Sequence, residues 1–370
     1  MRILHIIDSG GMYGAEMMLI TLAKEQAQHG LDPVILSIGK PGCREKTFEI
    51  ESKRQNLKVK TMRMHSGPNI FGAFRILNYA KESGFDIIHS HGYKGNILLG
   101  FVPGKIRTIP TLTTVHGWTS TSLFSKIKLY EIFDHLSLRF LDAVVVVNRN
   151  MLSLAPLQHS CKDHIYAINN GIAVEPQPRI TLRNDIVRFC QRGTTIAAIG
   201  RLSSEKGFDV LLDAFSQVKK QLGDLHLLII GEGSQRRELE MKIAEHGVSE
   251  HVYMPGFVHG ACHYLSLVQL LVISSRSEGL PMTLLEAMRE GIPVLASSVG
   301  GIPDTLENGE CGILVPPGDE EQLVAGLTSS LQNVGYLDLL AQKARRRFMK
   351  HYSSERMCTE YSKIYKKLIM

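Results

Sequence analysis

The chain reads as an α/β protein built on two doubly wound parallel sheets, and three observations predict this. Short apolar, β-branched runs alternate with longer amphipathic stretches from one end to the other. The second half repeats that alternation after a stretch without sustained periodicity, Ile172 to Arg192, which carries Pro176 and Pro178. With 370 residues, the chain exceeds what one core usually organises, so two domains are the natural division.

The elements follow in order. Ile3–Ile7, Val34–Ser37, Asp86–His89, Thr111–Val115, Ala143–Val147 and Ile165–Ile168 are short and apolar, as buried parallel strands should be. Helices are expected over Ala15–Gln28, Phe71–Ser83 and Leu123–Arg139. In the second half the strands are Thr195–Ile199, Leu225–Ile230, Val252–Met254, Leu270–Ile273, Val294–Ala296 and Gly312–Val315. The helix Phe208–Leu222 keeps Leu211, Leu212, Phe215 and Val218 on its inner side. This places a first domain at 1–172, a hinge at 173–192 and a second domain at 193–352. The last segment, Ser353–Leu368, is an amphipathic helix whose Met357, Tyr361, Ile364, Tyr365 and Leu368 require an apolar surface.

Composition sets limits. Hydrophobic content of 44% and charged content of 21% are ordinary for a globular protein. No apolar run approaches bilayer-spanning length, and Ile3 to Ile7 is too short for a secretory signal. Six cysteines without CxxC spacing fit a reduced, cytoplasmic protein without structural zinc. The net charge of +6 is lopsided: residues 1–170 hold 20 Lys+Arg against 13 Asp+Glu, the remainder 22 against 23. The excess includes Lys53, Arg54, Lys58, Lys60, Arg63, Lys126 and Lys128, which are either solvated surface or contacts to the anionic inner face of a membrane. Nucleic acid is not expected, because the basic residues lack interleaved aromatics.

Two charged patterns carry the chemistry. Glu278 and Glu286, with seven residues between them, bracket Gly279-Leu280-Pro281-Met282-Thr283, where a strand passes into a helix. Ligands of open α/β sheets bind at that strand edge, and carboxylates there accept from sugar hydroxyls. Thr283 and Glu286 also fit a capping box, a rival that Pro281 at the helix start opposes. Arg201 and Lys206 flank another strand-to-helix loop, where cations cradle a diphosphate or merely pair with Glu205 or Asp209. Acids for hydroxyls beside cations for phosphates indicate a nucleotide-sugar.

These residues carry a resemblance. Gly200-Arg201 with Lys206-Gly207, Glu278 to Glu286, Gly300-Gly301-Ile302-Pro303-Asp304 and Gly312-Ile313-Leu314-Val315-Pro316-Pro317-Gly318 resemble the family 4 retaining glycosyltransferases. The resemblance covers nearly the whole chain. It implies the GT-B fold, two Rossmann-like domains facing across a cleft, with the last helix, 353–370, packing back on the first domain. It further implies transfer from a nucleoside-diphosphate sugar, UDP favoured over GDP, to a hydroxyl acceptor on a glycan or lipid-linked glycan, with neither metal nor cofactor. Glu286 would hold the ribose, Glu278 the sugar hydroxyls, and the backbone at Phe257 and Val258 the base. A nucleotide-sugar epimerase of the same fold and a non-catalytic nucleotide-sugar binder stand as alternatives.

Other positions keep two readings each. The loop Ser9-Gly10-Gly11-Met12-Tyr13-Gly14 follows the first strand; Gly10 and Gly11 let amides approach donor phosphate or acceptor beside Tyr13, or form a plain tight turn. His116, before Gly117 and Trp118, ends a strand and is either a satisfied polar residue or, as the resemblance implies, a neighbour of the transferred sugar. His89 and His91 share one strand face and suit the acceptor side or a structural role. No third zinc ligand is evident for them from the sequence. Gly42 to Thr47 lacks P-loop spacing.

Overall fold

The computed structural model describes residues 1–65, 67, 69–116, 126–153, 157, 164–175 and 180–370. Two compact units divide the chain: Met1–Ile172 with Ser354–Met370, and Ala173–Ser353.

The first unit runs β1 (Arg2–Ile7), α1 (Gly14–Gln28), β2 (Asp32–Gly39), α2 (Thr47–Arg54), β3 (Lys58–Arg63), α3 (Ile70–Glu82), β4 (Ile87–His91), α4 (Tyr93–Gly100), β5 (Thr111–Val115), α5 (Lys126–Leu138), β6 (Ala143–Val146) and β7 (Ile165–Ala167). Its sheet is parallel throughout, in the order β3-β2-β1-β4-β5-β6-β7. Strands β1, β4, β5 and β6 are almost wholly buried, because helices cover both faces of a doubly wound sheet. β3, reading Lys-Val-Lys-Thr-Met-Arg, is a polar edge strand whose largely exposed residues hide the apolar signal that marks central strands.

The second unit runs α6 (Asn184–Cys190), β8 (Thr194–Ile199), α7 (Phe208–Leu222), β9 (Leu225–Ile230), α8 (Arg236–Glu245), β10 (Val252–Gly256), β11 (Leu270–Ile273), α9 (Met282–Glu290), β12 (Val294–Ser297), α10 (Ile302–Thr305), β13 (Ile313–Val315), α11 (Glu320–Gln332) and α12 (Val334–His351). Its sheet order is β10-β9-β8-β11-β12-β13, again parallel. In each sheet the winding reverses once, between β1 and β4 and between β8 and β11. The strand ends flanking such a reversal are where open α/β sheets form their ligand crevice.

The hinge expected at 173–192 needs correction. Its second half is the helix α6, and Ile186, Phe189 and Cys190 are buried with Leu228, Ile230 and Tyr264 of the second unit. Seven residues are too few to show helical periodicity in the sequence, yet i, i+3, i+4 spacing suffices for packing. Pro176, Pro178 and the expected helix start at Leu123 lie outside the described residues.

The last helix, α13 (Ser354–Ile369), belongs to the first unit and buries Met357, Tyr361, Ile364 and Tyr365. Ser354 Oγ donates to Glu25 on α1 at 2.6 Å. Burying each large side chain contributes roughly 1.5–3 kcal/mol, so this docking is a substantial part of that unit's core. Among the described residues no helix is long and apolar enough to cross a membrane.

Candidate active site

Strands β8 and β11 lie side by side at the reversal of the second sheet, and the loops leaving their carboxyl ends carry the two charged patterns. After β8, Ser204–Lys206 forms one 3-10 turn, and Gly207 at φ 63° begins α7. A Cβ on Gly207 would stand 2.2 Å from Ser274 O, so only glycine lets this turn approach the end of β11 so closely. Across the gap, the Lys206 ammonium donates to Glu278 Oε1, which also accepts from Ser275 Oγ at 2.7 Å. Gly300 makes a similar close approach at φ 57°: a Cβ there would lie 1.9 Å from Glu278 O, and Gly301 N donates to Gly279 O at 2.7 Å.

Arg201 and Lys206 thus reach one loop system but have different partners. The Arg201 guanidinium donates to Glu205 and, at 3.3 Å, to Ser203 Oγ. The simple ion pair weighed for Arg201 is therefore present, and the pair weighed for Lys206 is replaced by Glu278.

Glu286 lies on α9, whose N-cap is Pro281, so the helix begins at Met282, one residue later than the sequence placed it. Thr283 and Glu286 are both inside the helix, and Pro281 makes no side-chain cap, so the capping box is absent. Burial pushes the Glu286 carboxyl up to about 7 against the opposing charge of Arg289, with Cys262 also beside it. Among the described residues no hydrogen bond or ion pair joins Glu286 to Lys206 or Glu278. Leu280 and Met282 are buried under the loop; Val258 is buried after β10, while Phe257 presents an exposed ring.

The glycine loop of the first unit is held from within. Glu16, buried beneath it, accepts from Tyr13 N at 3.2 Å and from the Gly10 amide and Ser9, and Gly11 N donates to Ser9 Oγ at 3.2 Å. The amides proposed for phosphate thus have internal acceptors. Gly11 lies under the Tyr13 ring, which is exposed.

The acceptor-side expectation for His89 and His91 is corrected. Both are buried in a network with His5 on β1 and with α13, because alternation on a central strand turns them together into the covered face. His5 Nε2 meets Gln26 Oε1 at 2.8 Å and His5 Nδ1 meets His91 Nε2 at 3.0 Å. His89 Nδ1 meets the Tyr365 hydroxyl at 2.7 Å, and His89 Nε2 meets Thr114 Oγ1 at 2.8 Å. Gln26 Nε2 donates to Tyr365 at 3.1 Å, so its oxygen must accept and His5 carries its proton on Nε2. His91 then donates from Nε2, and its Nδ1 is a buried lone pair that has no partner among the described residues; His116 Nε2 is likewise buried with none among them. The His91 and His116 rings stack at 5.8 Å. Desolvation lowers His5 and His116 to about 4 and His89 and His91 well below the ordinary value, so these imidazoles are neutral at pH 7.

His5 is the third histidine that the sequence did not reveal, and ligand atoms of the three fall within 4.8 Å. Their inward nitrogens are engaged with one another, Gln26, Tyr365 and Thr114, which suits a polar core more than an ion site.

The profile described as Glycosyltransferase Family 4 matches residues 12–176, and that described as Glycosyl transferases group 1 matches residues 186–347. The chain belongs to the family 4 glycosyltransferases of GT-B fold.

This glycosyltransferase is 24% identical over 373 residues to the 2-deoxystreptamine N-acetyl-D-glucosaminyltransferase of Niallia circulans, covering 90% of this chain and 91% of that one. It is 20% identical to the N-acetyl-alpha-D-glucosaminyl L-malate synthase of Bacillus anthracis, covering 97% and 94%. Among solved structures, Anabaena HepE in complex with UDP-glucose superposes with a TM-score of 0.83 at 20% identity, over 99% of this chain and 100% of that one. At that identity the superposition speaks for the fold.

The glycosyltransferase also uses residues that no motif singled out. Arg276 donates to both carboxylate oxygens of Asp209 at 2.7 Å and to Ser204 O at 2.8 Å, and its own amide donates to Glu205 O at 2.7 Å. It stitches the Lys206 turn to the Glu278 loop. Its only sequence signal is its place between Ser275 and Ser277 in the loop after β11.

Proposed function

We propose that this glycosyltransferase retains configuration while moving a sugar from a nucleoside-diphosphate donor, UDP in preference to GDP, to a hydroxyl acceptor. The observation that carries this reading is the meeting of Lys206 and Glu278 from loops of adjacent strands at the sheet reversal. A diphosphate is a stronger partner for an ammonium than one carboxylate is. Lys206 would turn to the donor phosphates with Arg201, freeing Glu278 for sugar hydroxyls close to the anomeric carbon. Glu286 would accept from the ribose, and His116 would border the sugar.

Retaining glycosidases pair a carboxylate nucleophile with an acid about 5–5.5 Å away. Here both glutamates serve the donor, so the reading is front-face displacement through an oxocarbenium-like state. The departing phosphate takes the acceptor proton, and the two cations stabilise charge building on it. Neither metal nor cofactor enters this scheme. The UDP-glucose bound by Anabaena HepE supports the UDP preference. The acceptor would be a glycan or lipid-linked glycan of surface polysaccharide assembly, met at the cytoplasmic face of a membrane.

A thermal-shift screen with UDP, GDP, ADP and their sugars tests the donor, since a ligand selective for the native state raises its melting temperature. UDP-sugars are expected to stabilise most, with EDTA leaving turnover intact. No stabilisation by any nucleotide, or turnover lost to EDTA and restored by magnesium, contradicts the scheme.

A further inference from the structure

The first sheet also reverses, and the loops at its reversal hold an uneven ion cluster. Asp8 follows β1, Lys46 precedes α2 and Lys94 is the second residue of α4, so the three come from the segments that leave the carboxyl ends of β1, β2 and β4. Lys46 Nζ donates to Asp8 Oδ1 at 2.6 Å, and Lys94 Nζ donates to Asp8 Oδ2 at 2.7 Å. Lys46 also donates to Ile38 O at 2.7 Å. Gly39, at the end of β2, gives it room: a Cβ there would stand 3.1 Å from Lys46 Cε and 3.3 Å from its Nζ. Although burial pushes the Asp8 carboxyl up, the two lysines hold it below its ordinary value, so it is ionised at neutral pH.

The charges do not balance. One carboxylate serves two ammoniums, and the lysine side chains are only 13% and 17% exposed, low for this residue type. Covering a cation is costly unless a counter-charge offsets it, and among the described residues neither lysine has a second acid. The neighbouring Arg63 shows the balanced case, with Glu49 accepting from both of its terminal nitrogens at 2.8 and 2.9 Å. Two ammoniums directed at the two oxygens of one carboxylate form the contact that an anionic ligand would use. A phosphate monoester carries about −1.5 to −2 charges at pH 7 and offers three acceptor oxygens, so it matches both cations where Asp8 matches one. Asp8, 31% exposed, can turn to solvent. The cations assigned to the donor diphosphate, Arg201 and Lys206, belong to the second unit, which leaves this pair for another phosphate.

We propose that Lys46 and Lys94 form a subsite for a phosphate or diphosphate group on the acceptor, with Asp8 holding the two ammoniums in place until that group arrives. This rests on the transferase reading and gives its acceptor a chemical class.

The test is titration of inorganic pyrophosphate into the full chain saturated with UDP, which keeps pyrophosphate off Arg201 and Lys206. Wild type is expected to bind it, and Lys94→Met to bind about ten-fold more weakly. Lys94→Met leaves a balanced Lys46–Asp8 pair, and circular dichroism melts confirm that each variant folds. Asp8→Asn removes the internal competitor and is expected to bind pyrophosphate more tightly than wild type, a gain that a merely structural cluster would not give. Farnesyl diphosphate, below its micelle-forming concentration, replaces pyrophosphate in a second series. Lys94-dependent binding tighter than that of pyrophosphate assigns a lipid-linked phosphate and equal binding a soluble one; either supports the subsite. No pyrophosphate binding, or binding unchanged in Lys94→Met, overturns it. Lys94-dependent pyrophosphate binding by a chain that shows no affinity for UDP supports the subsite and counts against the transferase reading, so the two fail separately.

Discussion

Lys206 and Glu278, 72 residues apart in the chain, share a hydrogen-bonded ion pair that joins the loop after β8 to the loop after β11. The pair is partly buried and is braced on both sides. Ser275 holds the carboxylate, and Arg276 holds the turn that delivers the ammonium. It is preorganised: the cation and the acid need only exchange partners for a donor to be held by both.

Gly300→Ala should damage the site through the backbone. The added Cβ would fall 1.9 Å from Glu278 O at a φ of 57°. The loop must move, at a cost of about 1–3 kcal/mol, and turnover should fall with it. Urea unfolding together with initial rates checks this; a variant matching wild type in both would show that the loop yields freely.

Glu286 predicts a pH dependence of stability. Its folded pKa, about 7, lies above the ordinary value of 4.5, so between these values the folded state binds more protons than the unfolded. Stability contributed by this group is complete at low pH, falls as pH rises through that window, and is gone above it. Glu286→Gln should remove that fall, at most about 3 kcal/mol across the window. Denaturant midpoints of both proteins from pH 4.5 to 7.5 give the answer; parallel curves would mean that the carboxylate is not desolvated.

Much of the fold was legible because central parallel strands announce themselves as apolar runs. Ile3–Ile7 and Leu225–Ile230, each expected from the sequence, fall within strands that end where the sequence ends them. What escaped lacked that contrast: the edge strand Lys58–Arg63 and the short helix Asn184–Cys190. At the site, the glutamates and the Arg201–Lys206 loop were visible as charges beside glycines. Their pairing was not. Nor was the network of His5, His91, Gln26 and Tyr365, whose directly bonded members lie as many as 339 residues apart and meet only through the sheet register and the docking of α13.

Tyr365→Phe should break that network at its centre. The hydroxyl both accepts from Gln26 and serves His89 Nδ1, so its loss orphans two buried groups at about 1–3 kcal/mol each. The ¹⁵N shifts of the histidines should show a changed tautomer at His89. Unaltered stability with unaltered imidazole shifts would mean that the network does not hold these rings.

The account turns on whether Lys206 binds a nucleoside diphosphate. Titration calorimetry of UDP in EDTA against wild type and Lys206→Met measures this most directly. The account predicts a saturable site in wild type and at least about ten-fold weaker binding in the variant, with turnover from a UDP-sugar down by about 10²–10³. Equal UDP affinity and equal turnover in the two proteins would contradict it.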